Sequence, residues 1–147
     1  IAGPAHVKTL LESLPSHLET VFNQRVGLLE EASFLDAISP LSRADAIVKP
    51  LLIGQGQHDS RVKAEEIRHI VNSMQARSIP VTYISFPDEG HGFARSVNNL
   101  AFLAITEAFL SQHLGGYRQP IENEVRDSSA EIPAGAGQVP GLSEAMR

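Results

Sequence analysis

The sequence predicts an α/β domain in which parallel strands are joined by crossover helices and the sheet is incomplete within this chain. Three observations predict it. Two short runs, Leu51-Leu52-Ile53-Gly54-Gln55-Gly56 and Val81-Thr82-Tyr83-Ile84-Ser85-Phe86, are apolar or β-branched and bounded by Pro and Gly, as buried parallel strands are. Each is followed by a loop and then a long helical pattern, so residues 50–114 read strand, loop, helix, strand, loop, helix. Such a unit builds a parallel sheet with right-handed crossovers. Two strands make no stable sheet alone, so further strands are expected from upstream sequence or from another chain.

The elements follow in order. Ile1-Ala2-Gly3-Pro4 reads as the end of a strand or a turn. Val7, Leu10, Leu11 and Leu14 recur at helical spacing and stop before Pro15. Leu18, Val21, Phe22 and Val26 mark a second helix, stopped by Gly27. A third spans about residues 30–38, with Phe34, Leu35 and Ile38 on one face, and Ser39-Pro40-Leu41 breaks it. The first strand ends in the loop Gln57-His58-Asp59-Ser60-Arg61. An amphipathic helix over about 62–77 then carries Ile67, Ile70, Val71 and Met74 on its apolar side. The second strand ends in Asp88-Glu89-Gly90-His91-Gly92-Phe93, and a helix over about 97–114 follows. Its expected buried positions are Leu100, Leu103, Ala104, Phe109 and Leu110, and Gly115-Gly116 stops it. Residues 1–116 are therefore expected to form a partial domain. Residues 117–147, rich in Pro, Gly, Ser, Ala and Glu, are expected to be an extended or poorly ordered extension.

Composition narrows the function. The chain has 147 residues, 42% apolar and 20% charged, ordinary for a soluble globular domain. A net charge of -5 with no basic run argues against nucleic acid as a partner. No apolar stretch approaches the ~18 residues of a membrane span. The absence of cysteine excludes disulfides, thiolate metal sites and a cysteine nucleophile. It leaves the compartment open between cytoplasm and the periplasm or exterior. His6, His17, His69 and His113 lack metal-ligand spacing, and no metal or cofactor is expected. The chain starts on Ile1 with no signal-peptide pattern, so it is expected to begin inside a longer polypeptide.

Two residues carry the chemistry. Asp59 and His91 stand in loops after successive strands, 32 residues apart, as one helix, one strand and their loops require. Adjacent parallel strands lie about 5 Å apart, so these loops can bring a carboxylate to an imidazole. An Asp bonded to one ring nitrogen fixes the tautomer and stabilises the imidazolium formed at the other. Asp59 also suits an N-cap for the following helix, and the sequence does not separate the two roles. His58 and Arg61 are expected to be loop residues, and Asp88 and Glu89 to shape the loop or face solvent. In α/β-hydrolases the triad runs nucleophile, acid, His along the chain, with the nucleophile in a Gly-x-Ser-x-Gly elbow. No serine here lies between two such glycines, so the nucleophile is expected upstream.

At these residues the sequence resembles the prolyl oligopeptidase family of serine peptidases, in the C-terminal portion of its α/β-hydrolase peptidase domain. The matching segments are Ser39-Pro40-Leu41 with Ala44 and Ile47, Lys49-Pro50-Leu51-Leu52-Ile53, Gln55-Gly56, Asp59 with Arg61-Val62, and Pro87-Asp88-Glu89-Gly90-His91-Gly92-Phe93. The resemblance implies that Asp59 is the triad acid and His91 the base. It implies that the serine and the oxyanion donors lie upstream, and that this chain alone is inactive. In the intact enzyme the substrate would be a short peptide, admitted past an N-terminal β-propeller. Members often have Asn before the acid and Pro after it, where this chain has His58 and Ser60. Two other readings remain at this point. One is a non-enzymatic hydrolase-like module that self-associates through its open sheet edge as a homo-oligomer. The other is part of an esterase of the same fold.

Overall fold

The computed structural model describes residues 3–147. Ile1 and Ala2, and with them the expected strand end, lie outside the described residues. The chain opens with three short helices, α1 (Val7–Glu12), α2 (Ser16–Arg25) and α3 (Ala32–Ile38). His6 caps α1, its Nδ1 accepting from the Thr9 N–H, while its Nε2 lies 3.0 Å from Asp36 and ties α1 to α3. α1 and α3 share a small core of Val7, Leu11 and Leu35, against which the half-buried Phe22 of α2 packs. Leu35 alone of the three expected α3 positions is buried, and Phe34 and Ile38 stand exposed.

A 3-10 turn (Leu41–Ala46) leads into β1 (Leu51–Gly56), followed by α4 (Ala64–Ala76), β2 (Val81–Phe86) and α5 (Ser96–Leu114). The Arg77 guanidinium, just past α4, donates to the carbonyls of Ala44, Asp45 and Ile47 at 2.5–3.0 Å and fixes the turn that feeds β1. β1 and β2 are parallel and in register from Leu51 opposite Val81 to Gly56 opposite Phe86. β2 is buried at all six positions. Val81 and Tyr83 face the α4 side with Ile67, Ile70, Val71 and Met74, whereas Ile84 and Phe86 face the α5 side. Side chains alternate across a strand, so apolar residues at both parities mean that both faces are covered.

The α5 face differs from the expectation. Asn98, Ala101, Phe102, Ile105 and Ala108 are buried, whereas Leu100 and Leu103 are 56% and 62% exposed and Leu110 is also exposed. The reason is close approach. Ala101 and Ala108 are small, and the Phe102 ring lies so near Gly54 that a Cβ there would sit 2.8 Å from Cδ2. Leucines ring this helix on several sides, so hydropathy alone does not choose the face.

The segment 117–147 also departs from the extended or poorly ordered tail expected. It supplies β3 (Glu131–Ala134), antiparallel to β2, then a 3-10 turn (Ala136–Gln138) and α6 (Leu142–Ala145). Ile121, Val125, Val139, Leu142 and Ala145 pack into the α5-side core. Isolated apolar anchors separated by Pro and Gly have no period, so no periodic signal reveals them. The sheet order is β1-β2-β3, and the outer edge of β1 has no strand partner among the described residues. No helix among them is long and apolar enough to cross a membrane.

Candidate active site

The parallel register of β1 and β2 sends both following loops to one edge of the sheet. The acid loop spans residues 57–63 and the base loop residues 87–95. Their backbones bond directly: the Gln57 N–H donates to Phe86 O and the His58 N–H to Glu89 O, each at 2.9 Å. Gly56 permits this contact, because a Cβ there would lie 2.5 Å from the Glu89 carbonyl carbon. The base loop folds back on itself through a bridge between Gly90 and Gly92, with His91 at its apex. Gly92 has φ +93°, a left-handed value that favours glycine. Phe93 pins the loop to the core, its ring 4.5 Å from Phe86 and 5.3 Å from Phe102.

The two residues singled out in the sequence meet here. His91 Nδ1 lies 3.0 Å from Asp59 Oδ2 and 3.2 Å from Oδ1. The Asp59 side chain is 0% exposed and that of His91 is 39% exposed. Asp59 Oδ1 also accepts from the Arg61 and Val62 N–H groups at 2.8 and 3.0 Å. Asp59 therefore does not cap α4, whose N-cap is Lys63 without a side-chain bond; its carboxylate instead holds two amides of the loop before the helix and faces the imidazole. With Nδ1–H donating to the carboxylate, Nε2 carries a lone pair available as a proton acceptor. No serine hydroxyl bonds to His91 among the described residues, and Nε2 has no partner there.

His58 contributes its backbone N–H and projects an exposed side chain. Arg61 contributes its N–H to Asp59, and its guanidinium makes no ion pair among the described residues. Asp88 and Glu89 bond within the loop and to the start of α5. Glu89 is only 2% exposed, with its carboxylate accepting from the Ala94 N–H, the Arg95 N–H and the Asn98 amide at 2.8–2.9 Å. Burial pushes this carboxyl up, but the hydrogen bonds outweigh it and hold the group below its ordinary value. Asp88 is likewise held low, first by the Ser129 hydroxyl and then, against some desolvation, by Asn98, its own backbone N–H and the Arg95 charge. Asn98 and Ser129 were not evident in the sequence. An Asn in the first turn of a helix is ordinary, and Ser129 lies in a segment without a pattern. No group of three or more His, Cys, Asp or Glu among the described residues is arranged to hold a metal.

Comparison with known proteins gives the frame for this pair. The profile of the prolyl oligopeptidase family matches residues 16–117. Dipeptidyl aminopeptidase BIII of Pseudoxanthomonas mexicana is 50% identical over 153 aligned positions, covering 100% of this chain and 22% of that protein. Dipeptidyl peptidase family member 6 of Caenorhabditis elegans is 35% identical over 139 positions, covering 90% of this chain and 19% of that protein. The chain thus spans about a fifth of the length of these curated relatives. Among solved structures, a Mycobacterium tuberculosis puromycin-hydrolyzing peptidase superposes with TM-score 0.74 at 23% identity, covering 82% of this chain and 19% of that one. A puromycin hydrolase superposes with TM-score 0.69 at 23% identity, covering 80% and 18%. These structural neighbours share the α/β-hydrolase fold, of which this chain holds a part. With its family profile matched across α2 to the end of α5 and beyond, the chain belongs to the prolyl oligopeptidase family.

Proposed function

We propose that this chain supplies the acid and the base of a Ser-His-Asp relay in a peptidase domain whose nucleophile lies on polypeptide outside it. Asp59 holds the Nδ1–H tautomer of His91, and Nε2 takes the proton from the serine as its oxygen attacks a peptide carbonyl. The imidazolium, stabilised by Asp59, returns the proton to the leaving amine, and water then releases the acyl group by the same route. The observation that carries this reading is the 3.0 Å Nδ1–Oδ2 contact between a buried carboxylate and a partly exposed imidazole at the carboxyl ends of adjacent parallel strands. The substrate is a short peptide, and release of N-terminal dipeptides is the first activity to assay, given the names of the two curated relatives. The unpartnered edge of β1, along which runs a groove of about 220 Å³ lined by Leu51, Ile53, Ile67 and Ile70, receives the rest of the sheet.

The test uses the full-length peptidase. On a chromogenic dipeptide substrate, Asp59→Asn should lower kcat by about 10⁴-fold and His91→Ala by about 10⁶-fold. Wild-type turnover in His91→Ala would overturn its role as base. A fluorophosphonate probe should label the full-length protein and leave this 147-residue chain unlabelled. Stoichiometric labelling of a serine within the chain would overturn the proposal that the nucleophile lies outside it.

A further inference from the structure

We infer that residues 129–131 act as a strap that holds the acid loop and the base loop in register. Ser129 grips the base side and Glu131 the acid side, so both are positioning residues for the Asp59–His91 pair. The inference rests on the proposed role of that pair. It concerns the C-terminal segment, which supplies no group to the chemistry itself.

On the base side, the Ser129 hydroxyl donates to Asp88, and its N–H donates to Asn98 Oδ1 at 3.1 Å. Asn98, fully buried at the start of α5, passes the link on: its amide donates to Asp88 Oδ1 at 3.0 Å and to Glu89 Oε1 at 2.8 Å. Glu89 in turn holds the Ala94 and Arg95 N–H groups, which close the base loop around His91. Without Ser129, Asp88 keeps Arg95 and Asn98 as its side-chain partners among the described residues. On the acid side, Glu131 Oε2 accepts from Gln57 Nε2 at 3.0 Å, and the same amide reaches Ser85 Oγ at 3.1 Å. Gln57 is the first residue after β1, two before Asp59.

The strap is itself fixed. Glu131 begins β3 and is registered opposite Ser85 of β2. Before it, the Ala130 N–H donates to Ser128 Oγ, whose hydroxyl donates to Val125 O at 2.7 Å, and Val125 is buried. A short, anchored segment therefore touches the loops on both sides of the Asp59–His91 contact. Reacting groups must be held within fractions of an ångström for proton transfer, and a displacement of about 1 Å can cost about 100-fold in rate. Holding the two loops from one rigid element limits their relative motion. Hydrogen bonds that do this change turnover without contacting substrate.

The test compares Ser129→Ala, Glu131→Ala, the double variant and Ser129→Thr in the full-length peptidase, with His91→Ala as reference. The double variant should lose about tenfold in kcat, an order of magnitude short of a full 1 Å displacement, with KM within about twofold. Ser129→Thr, which keeps the hydroxyl, should recover most of what Ser129→Ala loses. Unchanged kcat in the double variant, or a drop that Ser129→Thr does not rescue, overturns the strap. A fall in melting temperature with kcat intact also overturns it, because that is a structural role only. Active His91→Ala would instead refute the role of the pair, a separate outcome. If the double variant fails to fold, the Ser129→Ala and Ser129→Thr pair carries the same comparison.

Discussion

Gly56→Ala is the sharpest perturbation of this site. A Cβ at Gly56 meets the Glu89 carbonyl carbon at 2.5 Å, where ordinary contact begins at 3.4 Å. The obstructing atoms are backbone, so no rotamer change relieves them. The base loop must retreat by about 1 Å from β1, which stretches the 2.9 Å bond from the His58 N–H to Glu89 O towards 4 Å. Losing that bond costs about 1 kcal/mol, and the residual crowding about 1–3 kcal/mol. His91 rides on the same loop, so its 3.0 Å contact with Asp59 opens as well. A displacement of this size predicts a loss of about 100-fold in kcat. The assay is turnover of a chromogenic peptide by the full-length enzyme, paired with a thermal melt. Gly90→Ala is the contrast: its Cβ meets only His58 O, at 3.7 Å, and it should cost far less. Gly56→Ala with wild-type kcat and melting temperature would refute the claim that the 56–89 contact sets the spacing of the two loops.

Two further predictions follow from burial and charge. The Glu89 carboxyl titrates below its ordinary 4.5 in the folded chain, so its contribution to stability is full above that pH and is lost as pH falls through the lower folded value. Glu89→Gln presents one carbonyl and one NH₂ to three donors and should cost about 1–3 kcal/mol at pH 7; its urea midpoint should then fall less steeply than wild type between pH 5 and 3, and parallel curves would argue against the assignment. On α5, Ile105→Ala removes a fully buried side chain and should cost about 2–5 kcal/mol. Leu103→Ala on the exposed side should stay within about 0.5 kcal/mol in this chain, and equal losses in urea titrations would refute the observed face.

The structure changes how the tail is read more than how the strands are read. α4 matched its sequence pattern because Ile67, Ile70, Val71 and Met74 form one apolar stripe with charged residues opposite. α5 did not, because leucines lie on its outer side while alanines face the sheet. The tail carried no period, and its burial depends on five apolar residues finding a face that other elements build.

The sequence by itself determined the βαβα order, the two loops and the pair of residue types that stand in them. These are local: hydrophobic runs, glycine placement and chain spacing fix them without reference to distant residues. Only the tertiary structure decided that Asp59 and His91 touch, that Asp59 Oδ1 holds two backbone amides while both carboxylate oxygens lie within reach of the imidazole, and that Glu89 is buried rather than solvated. It alone brought Ser129 and Glu131 to the same two loops from about 40 and 70 residues away, as Asp88 and Gln57 are spaced from them. Contacts of that range depend on the sheet register and on which helix face packs, and no local pattern encodes either.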